Sequence, residues 1–483
     1  MPKHPLIRAD YPDVDVIRVG SVYYMISTTM HFFPGGVILR SHDLVHWETA
    51  GHVFDTLDGT PAQKLDDGSI YSKGMWAASL RYHGGLFHVF FVANDTHRTY
   101  YFTAPAVEGP WTRHAVRGFY HDASLLFDDD GRVYAASGNR NIRLTELEPD
   151  LSGPKEGGLD RIILRDEQRG LGYEGSHLYK IRGRYVLCLI HWPAGHMRTQ
   201  AVFSADSPEG PWTGGDVLED DMDFFRQGVA QGGLVDTPDG EWYAVLFQDH
   251  GAAGRMPVLV PVVWDGDTPR FLAPGTPCAP KDLCPGHVYR PLCASGDFTA
   301  PEWEWNHEPE LSLVRREKET LSLTTDRVAQ DVTTAKNTLT QRTFDPGCEA
   351  EVTVCGAKLN DGDFAGLAAL QGLWAEAALT REGDSFFAVM REKTDEGTFE
   401  RARIPLALPS VRFRAVFDFR ELRDTVSFYC EKDGEWVALG GAHRLFYRLD
   451  HFTGVRAALC CYSTRRPGGT AQFRAFRYRA DED

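Results

Sequence analysis

The 483-residue sequence predicts an all-β protein, with a five-bladed β-propeller at residues 1–290 and a β-sandwich at residues 291–483. Helical periodicity is almost absent, and short apolar runs alternate with Gly, Asp and Asn turns, which is typical of β-strands. Similar strand–turn–strand units recur in the first half, and the chain is longer than one hydrophobic core usually supports. A Pro- and Gly-rich segment from about residue 265 is predicted to link the two domains.

Five units of strand, tight turn and strand predict the five blades. They open as DVDVIRVGSVYYMIS from Asp13, AASLRYHGGLFHVFF from Ala77, DASLLFDDDGRVYAA from Asp122, GSHLYKIRGRYVLCL from Gly175 and QGGLVDTPDGEWYAV from Gln231. Their spacing of roughly 45 to 65 residues suits a four-stranded blade. Two near copies, TAPAVEGPWT and SADSPEGPWT, end two of the units and support the repeat.

The region after residue 290 lacks this blade motif. It contains short alternating segments such as CEAEVTVCG, SFFAVMRE, VRFRAVFDF and AQFRAFRYRA, with no helical pattern between them. Alternation of this kind over a domain-sized stretch predicts a β-sandwich.

The charge and the cysteine content limit which binding partners and which cellular compartment we expect. A formal net charge of −17 without a Lys/Arg run argues against nucleic acid and favours a small neutral or basic substrate. No segment approaches the roughly 18 apolar residues of a membrane helix, and no secretory signal is visible. The nine cysteines form no CxxC pair. We therefore expect a cytoplasmic protein with reduced thiols and no membrane partner, and a homo-oligomer is compatible with the sequence.

Three acids from three different blades lie within one residue of the same structural position. When the five openings are superposed, Asp13 and Asp122 coincide with Gly175, and Glu174 comes directly before that glycine. The first strand of each propeller blade lines the channel, so these carboxylates should converge at one end of it. Clustered carboxylates repel one another and are costly to bury unless they catalyse a reaction or bind a metal such as Ca²⁺.

Glycoside hydrolysis is a reaction that requires such a set of acids. One carboxylic acid protonates the leaving oxygen, while a carboxylate activates water or attacks the sugar. A third acid can raise the pKa of the proton donor by like-charge repulsion. The alternative interpretation is that the acids cap turns or hold a cation.

The motifs around these acids resemble those of glycoside hydrolase family 43, which contains β-xylosidases and α-L-arabinofuranosidases. DYPDVDVIRVG resembles the segment of the general base, which implies that role for Asp13. HDASLLFDDDGRVY implies that Asp122 modulates the pKa of the proton donor, and YEGSHLYKI implies that Glu174 is this donor. The resemblance extends over essentially the whole chain and implies an inverting mechanism, with the base and acid roughly 6.5–9.5 Å apart.

The same resemblance implies the walls of a sugar pocket. GRMPVLVPVVW resembles a segment that supplies an arginine beside the proton donor, which implies Arg255, and GMWAASL implies Trp76. STTMHFFPGG implies Phe32 or Phe33 as a further wall. The β-sandwich of such enzymes packs on the propeller and can lend a residue to the pocket rim.

Two positions depart from the family pattern. His121 stands where an aromatic residue often precedes the third acid, and Gln231 stands where many members have a histidine near a channel cation. Both are candidates for substrate contact. No cofactor is expected to be required, although a Ca²⁺ or another cation in the channel is compatible with the resemblance. His250 is a weak candidate for a metal ligand.

These observations predict an exo-acting inverting glycosidase that releases terminal β-D-xylose, α-L-arabinofuranose or both from oligosaccharides derived from xylan or arabinoxylan. One alternative is a carbohydrate-binding propeller without catalysis, which would not need all three acids. Another is an inverting glycoside phosphorylase, which would need several cationic side chains near the acids.

Overall fold

The computed structural model describes residues 5–481, and antiparallel β-strands make up nearly all of its regular structure. The strands of the first half are β1 (Asp15–Val19), β2 (Val22–Ser27), β3 (Phe32–Phe33), β4 (Gly35–Ser41), β5 (Glu48–Phe54), β6 (Met75–His83), β7 (Leu86–Ala93), β8 (Arg98–Ala104), β9 (Thr112–His114), β10 (Ser124–Phe127), β11 (Val133–Ser137), β12 (Asn141–Leu147), β13 (Asp160–Arg165), β14 (Gly170–Ile181), β15 (Arg184–Pro193), β16 (Thr199–Ala205), β17 (Thr213–Leu218), β18 (Ala230–Asp236), β19 (Trp242–Asp249), β20 (Arg255–Asp265) and β21 (Thr268–Phe271).

Five four-stranded antiparallel sheets confirm the predicted five-bladed propeller. Blade one has the order β1-β2-β4-β5, and blades two to five are β6–β9, β10–β13, β14–β17 and β18–β21 in chain order. The first strands of successive blades contact one another, and β18 contacts β1, so the ring is closed around a channel. Since the predicted turns join the first and second strands of every blade, all five first strands begin at the same end of that channel.

The second half forms the predicted β-sandwich. Its strands are β22 (Glu304–Asn306), β23 (Val314–Arg316), β24 (Thr320–Thr324), β25 (Leu339–Arg342), β26 (Gly347–Lys358), β27 (Asp363–Leu370), β28 (Ala375–Glu382), β29 (Ser385–Thr394), β30 (Gly397–Leu406), β31 (Ser410–Asp418), β32 (Thr425–Lys432), β33 (Glu435–Ala438), β34 (His443–Arg444), β35 (Arg456–Ser463) and β36 (Thr470–Ala480). One sheet has the order β3-β22-β25-β35-β27-β28-β29-β30, and the other has the order β23-β24-β36-β26-β31-β32-β33, with β34 paired to β32. Apolar side chains from both sheets form one continuous core between them.

A short strand of the propeller region completes one sheet of the sandwich. β3 leaves blade one and pairs with β22, with Trp305 opposite Phe33. Beside this junction, the carboxylate of Glu304 pairs with the guanidinium groups of Arg342 and Arg456, all three of them buried. Main-chain pairing and a buried ion cluster therefore tie the two domains together, which fixes the sandwich relative to the pocket end of the channel.

The helices in the described residues are single 3₁₀ turns. They lie at Gly251–Ala253, Leu311–Leu313, Val332–Thr334 and Arg420–Leu422. Within residues 5–481, no helix has the length and apolar character needed to cross a membrane.

Candidate active site

The backbone bends in the same left-handed way at or near the pocket end of the inner strands of four blades. Asp13, Asp122, Gly175 and Gln231 have φ angles of 53°, 47°, 63° and 59°. This conformation costs a residue with a side chain roughly 1–2 kcal/mol, so it persists only where the surrounding structure imposes it. The positions that the sequence superposes therefore share one backbone geometry, which aims equivalent side chains at the end of the channel.

The structure brings the three predicted acids together at this end of the channel. Asp13 and Asp122 are 8% and 7% exposed, while 19% of the Glu174 side chain is accessible. Burial raises the pKa of both aspartates, and the neighbouring charge of Glu174 adds to the rise. Two buried aspartates that are costly to ionise therefore surround a glutamate that solvent, and hence a ligand, can reach.

Asp13 is paired with Arg255, which corrects one prediction. Arg255 was predicted beside the proton donor Glu174, but its Nη1 donates to Asp13 Oδ1 at 2.6 Å. The guanidinium lies between the rings of Phe247 and Phe452, at 5.2 and 4.8 Å from their centroids. The pairing arises because β20 begins at Arg255 in the last blade, which closes the ring against the segment that carries Asp13. Burial raises the pKa of Asp13, and Arg255 opposes that rise.

His121 lies between the other two acids. Its Nε2 is 3.8 Å from Asp122 Oδ1 and 3.9 Å from Glu174 Oε2. Burial opposes protonation of the ring, but the charges of Asp122 and Glu174 outweigh it and raise the pKa of His121 to about 9. Burial also raises the pKa of Asp122 to about 7, against the lowering effect of His121. The imidazolium therefore offsets part of the repulsion between the two carboxyl groups, whose potential ligand atoms lie within 4.8 Å of each other.

Glu174 is held in place by two β-bulges and an amide. The pairing of β14 with β15 shifts register on both sides of Glu174, and a bulge of this kind turns a side chain away from the regular pleat. The side-chain amide of Asn139 donates a hydrogen bond to Glu174 Oε2. Directly after the acid, a Cβ on Gly175 would lie 2.6 Å from the side chain of Gln231. The position after the acid therefore requires glycine.

The sandwich supplies the remaining wall of the pocket. The segment between β34 and β35 places the ring of Phe452 5.6 Å from that of Trp76, which itself lies 6.0 Å from His121. Trp76 thus lies between His121 and Phe452, and its Nε1 has no hydrogen-bond partner. Its role as a wall of the sugar pocket stays a prediction. Phe452 is thus a residue that the sandwich contributes to the site.

Asp10 connects the elements that hold Phe452 and Arg255. Its Oδ1 accepts the backbone N–H of Arg255 at 2.8 Å, and its Oδ2 accepts that of Gly454 at 2.8 Å. A Cβ on Gly254 would lie 2.3 Å from Asp10 Oδ1, so glycine permits this approach. One buried carboxylate therefore sets the spacing between the last blade and the segment of the sandwich that enters the pocket.

This arrangement coincides with a known family. The family model described as "Glycosyl hydrolases family 43" matches residues 2–269, which is more than half of the chain. The chain belongs to glycosyl hydrolase family 43. A second model, the beta-xylosidase C-terminal concanavalin A-like domain, matches residues 295–479.

Relatives in family 43 resemble the chain over much of its length. A solved structure described as bifunctional GH43-CE from Bacteroides eggerthii is 40% identical with a TM-score of 0.92, covering 99% of this chain and 64% of that one. A beta-xylosidase of Formosa agariphila is 29% identical over 63% of this chain and 58% of its own length. A xylosidase/arabinosidase of Butyrivibrio fibrisolvens is 28% identical over 55% of each chain. The chain thus spans less than two thirds of the length of these three relatives.

Phe32 and Phe33 do not form the predicted pocket wall of this family 43 protein. Each is only 1% exposed. Phe32 lies under the guanidinium of Arg456, 4.1 Å from its ring centroid, and Phe33 packs against Phe54 in the core between the first two blades. Because β3 pairs with the sandwich, both rings are enclosed at the domain junction and offer almost no surface to a sugar.

Gln231 and His250 are also enclosed. Gln231 is buried beside Gly175, and its backbone N–H donates to Gln200 Oε1 at 2.9 Å, so it supports the segment of the acid. His250 shares a hydrogen bond with Gln248 Oε1 at 3.0 Å and stacks on Phe224. Across residues 5–481, the group of three or more potential ligands within metal-binding distance is His121, Asp122 and Glu174, which does not include His250.

The channel below the acids is crossed by Arg81. Its Nη1 donates to Asp15 Oδ2 at 2.6 Å, its Nε to the Leu125 carbonyl at 2.8 Å, and its Nη2 to Ser124 Oγ at 2.7 Å. His177 lies beside Asp15, and its ring nitrogens face backbone carbonyl oxygens at 3.0 and 3.2 Å. Except for Asp15 Oδ1, which has no hydrogen-bond partner, these groups already have partners within the protein. The Arg81 guanidinium also balances the Asp15 carboxylate, so the group does not offer the six to eight oxygen ligands that a resident Ca²⁺ takes.

Sequence reasoning missed Asp10, Asn139, Phe452 and Arg81. Asp10 is three residues before Asp13 in ADYPDVD, and that proximity to an acid was a usable signal. Arg81 lies in the first strand of blade two, and a charged residue on such an inner strand was another usable signal. Asn139 and Phe452 have no local signature, since each acts through contacts with a distant part of the chain.

Proposed function

We propose that the protein is an exo-acting inverting glycoside hydrolase. It removes terminal β-D-xylose, α-L-arabinofuranose or both from oligosaccharides derived from xylan or arabinoxylan. The observation that carries this proposal is the convergence of two buried aspartates and a partly accessible glutamate at one end of a propeller channel. The names of the family 43 relatives support the two sugars, and the mechanism common to the family supports inversion.

Asp13 is suited to remove a proton from the attacking water. Its burial raises the pKa of the carboxyl group, which makes the ionised form a stronger base. Its ion pair with Arg255 keeps that form populated and fixes one carboxylate oxygen, at Nη1···Oδ1 2.6 Å. Water that loses a proton to Asp13 attacks the anomeric carbon from the face opposite the leaving group.

Glu174 is suited to give a proton to the leaving oxygen. It is the acid of the three that a ligand reaches most readily, and Asn139 fixes the direction of its carboxyl group. Asp122 and His121 lie beside Glu174, and Asp122 acts on the reaction only through Glu174. As the C–O bond breaks, the proton of Glu174 passes to the departing oxygen, so both products leave neutral.

Donors without a partner in the protein are suited to hold the hydroxyl groups of the terminal sugar. Arg255 Nε and Nη2 and Trp76 Nε1 are buried and make no hydrogen bond within the protein. The rings of Trp76 and Phe452 are tilted by 50° with their centroids 5.6 Å apart, and together they supply an apolar wall. A pocket closed by a segment of the sandwich favours removal of one terminal unit over cleavage within a long chain.

Substitution of the two acids tests the proposal. Asp13→Asn and Glu174→Gln should each lower kcat on xylobiose or on an arabinofuranosyl oligosaccharide by at least about 1,000-fold. Asp130→Asn is the matched control, because this exposed acid in the turn of blade three bonds only to Arg132. Near-wild-type turnover in either acid variant would overturn the assignment. Binding without product would favour the carbohydrate-binding alternative, and turnover only with phosphate would favour a phosphorylase.

No cation is required in this proposal. The guanidinium of Arg81 already balances Asp15 inside the channel. Prolonged dialysis against a chelator should leave kcat and the melting temperature unchanged, and restoration of lost activity by Ca²⁺ would contradict this. Zn²⁺ should inhibit, since His121, Asp122 and Glu174 are spaced as metal ligands and a bound ion would occupy the proton donor. The expected cytoplasmic location and the oligomeric state stay predictions.

A further inference from the structure

An exposed tryptophan lies beyond the proton donor on the same strand pair. Trp192 is opposite Leu171 in the pairing of β14 with β15, and Glu174 is opposite Ile190 two residues earlier on β15. Trp192 and Ile190 therefore share a face of the sheet, and Trp192 is farther from the channel interior, at the pocket end of blade four. Trp192 is 39% exposed, whereas Ile190 is buried.

The indole of Trp192 is fixed along its edge and one ring face. Its Nε1 donates to the His196 carbonyl at 2.8 Å, and the guanidinium of Arg198 lies 4.7 Å from the ring centroid. Arg198 is itself held by an ion pair with Asp249. A tryptophan fixed in this way presents its remaining surface to solvent as a rigid, flat platform.

The same contacts connect this platform to the catalytic base. Asp249 is opposite Arg255 in the pairing of β19 with β20, and Arg255 bonds to Asp13. Phe247 packs between the guanidinium groups of Arg198 and Arg255, at 5.6 and 5.2 Å. A continuous set of packed rings and ion pairs thus runs from the floor of the pocket to its rim between blades four and five.

Resting on the proposed function, we propose that Trp192 binds the sugar on the leaving-group side of the scissile bond. The leaving oxygen takes its proton from Glu174, so the departing sugar emerges on the blade-four side of the pocket. The apolar face of a pyranose ring stacks well on a flat aromatic surface, and the xylopyranose backbone of a xylo-oligosaccharide offers such faces. Trp192 therefore contributes to recognition of the leaving sugar and takes no part in proton transfer.

Two substrates with and without a leaving sugar test this role. β-D-Xylosyl fluoride carries the terminal sugar only, whereas xylobiose adds one xylose on the leaving-group side. Trp192→Ala should lower kcat/KM for xylobiose roughly 5- to 10-fold and leave kcat/KM for the fluoride unchanged. Trp192→Phe should restore most of the loss, because it keeps an aromatic face.

Tyr82→Ala is the matched control. Tyr82 is 45% exposed at the opposite end of the channel, near the end of β6, and should affect neither substrate. An unchanged kcat/KM for xylobiose in Trp192→Ala would overturn the proposal, and so would an equal loss for both substrates, which would indicate a disturbed pocket. Failure of the wild-type protein to release sugar from either substrate would instead contradict the proposed xylosidase activity itself.

Discussion

At the residue scale, a shared backbone bend carries different side chains in different blades. Asp13 and Asp122 occupy the left-handed position itself, whereas in blade four glycine takes that position and the acid Glu174 precedes it. This one-residue offset leaves Glu174 more accessible than the two aspartates. The offset therefore leaves one carboxylate reachable and two enclosed.

Gly175→Ala should damage both stability and catalysis. The alanine, directly after Glu174, would have to adopt a left-handed φ. Its Cβ would lie 2.6 Å from the Gln231 side chain. We expect a loss of about 1–3 kcal/mol in the free energy of unfolding and a fall in kcat on the order of 10- to 100-fold. Gly20→Ala is the control, since it has a similar φ but open space around it. Denaturant unfolding and initial rates measure both effects, and equal results for the two variants would refute the steric argument.

His121→Phe should move the acidic limb of the pH profile of kcat/KM to higher pH. His121 lowers the pKa of Asp122, which burial has raised to about 7, so loss of the imidazolium leaves the pKa of Asp122 higher still. Asp122 then ionises only at higher pH, so its negative charge acts on Glu174 only above that higher pH. His83→Phe, in which the replaced ring lies at the far end of β6, should leave the profile unchanged. An acidic limb that stays in place or moves to lower pH in His121→Phe would contradict this account.

At the element scale, the segment between β34 and β35 is part of the pocket although it belongs to the sandwich. It places Phe452 beside Trp76 in the same wall of the pocket. Asp10 anchors it through the N–H of Gly454, and the backbone of Val455 donates to the Ala252 carbonyl at 2.8 Å. The pocket is therefore complete only when both domains are folded and joined.

Asp10→Asn should uncouple this segment from the last blade. One side-chain oxygen becomes an amide nitrogen, which cannot accept the backbone N–H of Arg255 or of Gly454. We expect a loss of about 1–3 kcal/mol in stability and a fall of about 10-fold in kcat/KM, because Phe452 and Arg255 both shift. Asp43→Asn is the control, because Asp43 accepts two backbone N–H groups in a surface turn of blade one. Both N–H groups reach Oδ1 of Asp43, which an amide retains, so this variant should change neither stability nor kcat/KM by much. An equal loss of kcat/KM in both variants would exclude a positioning role for Asp10.

The sequence was sufficient to predict the blades, the sandwich and the three acids. Turns and the alternation of apolar and polar residues are local properties of the sequence. Superposing the repeated blade units then shows which distant acids share one position. Side-chain contacts between residues far apart in the sequence could not be predicted in this way. Asp10 and Gly454 are 444 residues apart, and Arg255 and Asp13 are 242 residues apart. Phe32 and Phe33 misled the prediction because β3 leaves its blade to join the sandwich, which no local pattern indicates.

At the scale of the whole molecule, three buried histidines meet where propeller and sandwich join. The ring of His31 lies 5.2 Å from that of His307 and 5.3 Å from that of His451, and Tyr71 stacks on His451 at 4.1 Å. Burial lowers the pKa of all three, and that of His451 falls to about 3. Neutral imidazoles are therefore part of the packing that joins the two domains.

This junction should make the protein sensitive to acid. Unfolded histidines titrate near pH 6.5, so below that pH the unfolded chain binds protons that the folded chain excludes. At pH 5 the resulting loss of stability is about 2 kcal/mol for His451 alone. His451→Phe keeps the stack on Tyr71 and should show a smaller fall in melting temperature between pH 7 and pH 5. The exposed His46 provides the control variant His46→Gln, and an identical acid response in all three proteins would disprove the argument.

In the proposed mechanism, Asp13 and Glu174 act on opposite faces of the sugar, with water between the base and the anomeric carbon. Proton NMR of the first product formed from xylobiose or an arabinofuranosyl oligosaccharide, recorded before mutarotation, tests it most directly. We expect release of a single sugar with inverted anomeric configuration, which is α-xylose from a β-xyloside. A product that retains the configuration of the substrate would contradict the account, because it would require a carboxylate that attacks the sugar directly.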